Sequence, residues 1–63
     1  MNHLRTRKNA RDAEFQALSR AIRFLRLARL FHAERNPARC AFYQVKAIRC
    51  FNAAEQFRRE AGR

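Results

Sequence analysis

Ala33-Glu34-Arg35-Asn36-Pro37-Ala38 holds the one strong helix break in this 63-residue chain. Proline disfavours helical geometry at the residue before it, yet it suits the first turn of a new helix. Asn36 is therefore placed to cap a second helix with its side-chain oxygen. Upstream, nothing between Ala10 and Arg35 breaks a helix; downstream, nothing does so before Gly62. The pattern predicts helices over about 10–35 and 37–61, each about 37 Å long, folded back on one another as an antiparallel αα-hairpin. Asn9 is the expected N-cap of the first helix. Asp12 and Glu14 would then lie in its first turn, where the helix dipole favours acids. Residues 1–9, polar and basic, read as a flexible arm, and residues 10–63 as a single domain.

Outward from that link the apolar residues recur at helical spacing. In the second helix Cys40, Tyr43, Ala47, Cys50, Ala54, Phe57 and Ala61 alternate steps of three and four. In the first, Ala17, Ala21, Phe24, Ala28 and Phe31 do the same. Such stripes pack helix on helix, with alanine allowing close approach and aromatic rings filling the flanks. Ala21-Ile22-Arg23 and Ala47-Ile48-Arg49 occupy matching places 26 residues apart, with Ala28 and Phe31 in step with Ala54 and Phe57. Apolar residues remain once both stripes are used: Phe15, Leu18, Ile22 and Leu25 on one helix, Ala41, Val45 and Ile48 on the other. The apolar arc of the first helix then covers about 200°, well beyond the stripe of about 100° that a surface helix needs. One hairpin cannot cover so wide an arc. The expectation is an all-α fold in which two hairpins pair as a homodimeric four-helix bundle through an isologous interface. The residues expected to meet a protein partner are Ala17, Leu18, Ile22, Leu25, Leu27, Leu30, Val45 and Ile48.

Composition narrows the class. Lys and Arg total 15 against 5 acidic residues, a formal charge of +10, and 13 of the 15 are arginine. Arginine is the forked donor suited to phosphates and carboxylates. An apolar share of 48% is too high for a disordered polyelectrolyte tail. No apolar run approaches the length of a membrane span, and residues 1–11 hold no apolar core of a secretory signal. Cys40 and Cys50 are too few for a disulfide framework, and on one straight helix they sit about 15 Å apart, beyond bridging distance. A reducing, cytoplasmic setting is expected.

Charge placement suggests the chemistry. Arg20, Arg23, Arg26 and Arg29 recur every third residue, so the row drifts backwards by about 60° per step. Arg20, Arg23 and Arg26 share the polar side with Gln16 and Ser19, whereas Arg29 turns towards Leu18 and Ile22. The plain reading is a solvated face; the functional one is contact with a phosphate backbone. Arg5, Arg7, Lys8 and Arg11 extend the charge at one end, and Arg49 adds to it on the second helix. Arg58, Arg59 and Arg63 return beside the arm in an antiparallel hairpin. These eleven residues are the candidate nucleic-acid set: Arg20, Arg23, Arg26 and Arg49 along the rods, the other seven at the open end.

RNA is favoured over duplex DNA, because both helices are long and neither looks built as a short recognition helix after a tight turn. Leu27 and Leu30, set among the arginines, support an alternative: an inhibitor or adaptor of the mobile-element type that docks an acidic or amphipathic protein. His3, His32, Cys40 and Cys50 lack the close-pair spacing of a metal site, and no nucleophile and base stand at readable spacing. No metal, no cofactor and no enzymatic activity are expected.

Overall fold

The computed structural model describes residues 7–62, Arg7 by its backbone alone. They form two helices, α1 over Arg7–Ala33 and α2 over Pro37–Ala61, packed along their length as a hairpin of 46 × 17 × 16 Å. Helix α1 starts three residues before the expected Ala10. Arg7, Lys8 and Asn9 are thus helical and not part of an arm, and Asn9 is not a cap. Asp12 and Glu14 consequently fall outside the first turn, which holds no acid. The reason is local: Arg7 and Lys8 are good helix formers and nothing in front of Ala10 stops the helix from growing backwards. The proposed arm positions 1–6, including Arg5, lie outside the described residues, as does Arg63.

The link is built by hydrogen bonds that end one helix and start the next. The amide of Asn36 donates to the Phe31 carbonyl at 2.8 Å and that of Arg35 to the His32 carbonyl at 3.0 Å. This crossed pair is the Schellman pattern, and it requires a left-handed residue. Arg35 supplies it with φ of 58°. A side chain there costs about 1 kcal/mol that glycine would not incur. The same pattern ends α1 at Ala33, two residues short of the expected Arg35. Asn36 then caps α2 as expected: its Oδ1 accepts from the Arg39 amide at 3.2 Å, with Pro37 next in line. At the far end the Gly62 amide donates to the Arg58 carbonyl at 3.1 Å.

Both stripes meet in the seam. Ala21 and Ala47 are fully enclosed, as is Ala10 two turns further out than the expected stripe, and Ala17, Ala28, Cys40 and Ala54 are also buried. Phe24, Phe31, Tyr43, Cys50, Phe57 and Ala61 are half-buried along its edges. Small residues let the backbones approach closely, but they enclose little apolar surface. Among the described residues, every buried side chain is an alanine or a cysteine, and no large side chain is fully enclosed. The chain exposes 5566 Å². A compact monomer of 7.5 kDa would expose about 4,250 Å².

Candidate nucleic-acid interface

The hairpin has two unlike sides. On the first, Tyr43 stacks with Phe31 at 5.5 Å between ring centroids and with Phe24 at 6.0 Å, and meets Phe42 edge-on at 5.1 Å. Cations cover this cluster. The Arg39 guanidinium lies 5.5 Å from the Phe31 centroid, and Lys46 Nζ lies 5.0 Å from Phe42 and 6.0 Å from Phe24. Towards the open end the same side continues as a shallow hollow lined by Arg20 and Arg49, with Ala17, Cys50 and Phe57 at its floor. Phe24 lies one turn on from Arg20, and Phe57 two heptads on from Tyr43, which keeps rings and hollow on one side. Two arginines from different helices thus meet over one groove, Arg23 stands beside them on the outer surface of α1, and Lys46 and Arg39 extend the row to the turn.

On the second side the apolar surplus is bare. Phe15, Leu18, Ile22, Leu25, Val45, Ile48 and Phe51 are all exposed, from 36% for Leu18 to 70% for Phe15. Hollows here are lined at one end by Glu14, Leu18, Phe51, Ala54, Glu55 and Arg58, and at the other by Leu25, Ala28, Arg29, His32, Cys40 and Gln44. Arg26 and Arg29 border this apolar side and do not share the groove of Arg20.

Comparison with protein families, with characterised proteins and with solved structures finds no match to this chain. The remaining candidates are therefore placed by geometry alone. Lys8, Arg11, Arg58 and Arg59 are exposed at the open end, where Asp12, Glu14, Glu55 and Glu60 also lie. Arg59 bonds Glu55 at 3.2 Å, one turn away. That end carries mixed charge. The midsection does not: residues 15–33 and 35–54 hold eight Arg and Lys and not one carboxylate.

Of the expected protein-facing residues, Ala17 is buried in the seam, and Leu27 is half-buried and leans towards the ring side. Leu30 alone of the Leu27–Leu30 pair stands exposed on the outer surface of α1. The spacing argument placed both leucines opposite the seam, but a step of three residues swings the side chain by about 60°, which returns Leu27 to the flank. Arg39 and Lys46 are not among the residues that spacing singles out, because their ring contacts with Phe31 and Phe24 cross between helices. The Phe42–Lys46 spacing of four residues was the one local hint. Cys40 and Cys50 are free thiols. Among the described residues no three metal-binding side chains come together, and no helix is long and apolar enough to cross a membrane.

Proposed function

We propose that this chain is a small cytoplasmic, non-enzymatic regulator that binds nucleic acid, RNA in preference to duplex DNA, as a homodimer of hairpins. The observation that carries the reading is the carboxylate-free midsection, in which Arg20, Arg49, Lys46 and Arg39 line one ring-bearing side with Arg23 beside them. Arginine and lysine supply phosphate contacts and counterion release, and exposed rings such as Phe42 offer faces on which unpaired bases stack. Five such cations per chain become ten in a dimer. No short recognition helix follows a tight turn here, and ring faces suit the unpaired bases of RNA rather than the base edges of a duplex major groove. The apolar second side supports the dimer, since seven large apolar side chains remain 36–70% exposed in one chain.

The test is the salt dependence of binding to structured RNA. If six or more phosphates are engaged, affinity falls by roughly a thousandfold or more between 50 and 200 mM salt. A flat response rejects the reading. The alternative, an adaptor for an acidic protein, is favoured by Leu30, 53% exposed on the same helix surface as Arg23 and Arg26. Under that alternative Leu30→Ser removes partner capture and leaves the salt response of RNA binding unchanged.

A further inference from the structure

The hollows fix which residues stand side by side across the seam. Leu25–Arg29 lie beside Cys40–Gln44, and Glu14–Leu18 beside Phe51–Arg58, so positions summing to about 70 share a level along the rod. On that scale the bare residues Phe15, Leu18, Ile22, Leu25, Val45, Ile48 and Phe51 form one patch centred at Ile22 and Ile48, midway along the hairpin. Leu18 and Leu25 on α1, and Val45 and Phe51 on α2, stand about equally far to either side of that centre, which suits a two-fold axis, where a surface must match itself. The composition fits as well. Seven large apolar side chains, 36–70% exposed, gather on this one side, and homodimer interfaces are richer in apolar surface than the rest of a protein.

Two face-to-face pairings bury this patch, and the charges at its ends separate them. If both turns lay at the same end, α1 would cover the second copy's α2. Arg11 would then face Arg58 and Arg59, like charge against like, and Glu14 would come between Glu55 and Arg58. If the turns lie at opposite ends, α1 covers the second copy's α1. Ile22 then meets Ile22, Ile48 meets Ile48, Leu18 meets Leu25, and Arg29 comes against Phe15 and its neighbour Glu14. Like charges brought together in a partly desolvated rim cost far more than a surface pair gains, so the choice is set by what is avoided.

We propose that the apolar side is the seat of a second copy of this chain, held antiparallel with the two turns at opposite ends of the bundle. The proposal rests on the homodimer reading above and adds its face, direction and register. The two ring-and-arginine sides then point outwards on opposite surfaces of the dimer, leaving both free for nucleic acid.

Disulfide trapping tests it on the full chain after nuclease treatment. In a Cys40→Ala, Cys50→Ala background, mild oxidation of Ile22→Cys alone yields a covalent dimer, and Ile48→Cys alone does so too. In an equal mixture of the two, the like-with-like products dominate. Predominance of the mixed Ile22→Cys to Ile48→Cys product overturns the antiparallel register while leaving a homodimer standing. A folded monomer that forms no product, or a chain that becomes helical only on anionic vesicles, overturns the second copy as the occupant. A charge exchange supplies an independent arm. Glu14→Arg and Arg29→Glu each weaken dimerisation by about tenfold, and the double variant recovers to within about threefold of the parent. Absence of recovery counts against the register. Neither arm contains nucleic acid, so RNA binding can fail without touching this result.

Discussion

Phe31 and Ile22 sit on opposite sides of the same helix, and their surroundings differ in kind. Phe31 is stacked on Tyr43 and roofed by Arg39, while Ile22 is bare. A long cationic side chain can lay its stem and its charge over a ring and still keep its head in water. The aromatic side is therefore largely covered within one chain, with Phe42 still 54% exposed, and remains wet and positive. An aliphatic side chain has no quadrupole to attract such a roof, so Ile22, Leu18 and Ile48 gain cover only from other apolar surface. One side is built to meet a charged ligand in water and the other to exclude water.

A charge on each side breaks or sharpens this contrast most strongly. Ile48→Glu is expected to abolish self-association, because an unpaired carboxylate in the interface costs several kcal/mol. Phe42→Glu, on the ring side, should leave the dimer intact and weaken RNA binding instead. Sedimentation separates the two variants, since Ile48→Glu loses the dimer and Phe42→Glu keeps it while binding RNA more weakly; a dimer lost equally in both would mean the sides are not distinct.

Next in size, Arg20→Ala with Arg49→Ala should lower the slope of log affinity against log salt by about 2 and leave the dimer unchanged. The corresponding pair at the open end, Arg58→Ala with Arg59→Ala, should lower it less, since carboxylates already share that end. Equal losses would move the binding surface away from the midsection.

The smallest effects belong to the link, which touches neither side. Arg35→Gly relieves the left-handed backbone and should raise stability by about 0.5–1 kcal/mol. Asn36→Ala removes the cap of α2 and should lower it by about 1 kcal/mol. Chemical denaturation reads both, and the salt slope should stay at the parent value.

The seam was legible because it depends only on spacing within each helix. Every member of the Cys40-to-Ala61 stripe is buried or half-buried, and Asn36 caps α2 with the oxygen its position implies. What escaped depends on more than one segment. The roofing of Phe31 by Arg39 needs both helices in place, and the left-handed Arg35 is forced by closure of the link rather than by any preference of arginine. Asn9 shows the converse limit. A good cap residue with acids behind it does not end a helix when the residues before it are equally willing to be helical. The candidate site was legible as an excess of arginine, but a count of charges does not reveal where carboxylates gather. Four of the five lie at the open end, where seven of the eleven candidate residues are expected.

The central claim is that a seam of alanines cannot hold the hairpin alone and that the apolar side completes the core with a second copy. Sedimentation equilibrium on the nuclease-treated full chain across a wide concentration range tests it most directly. The account predicts a reversible dimer of twice the 7.5 kDa chain mass, with helix content falling as the dimer dissociates. A fully helical, stably folded species of single-chain mass at the highest concentrations would contradict it.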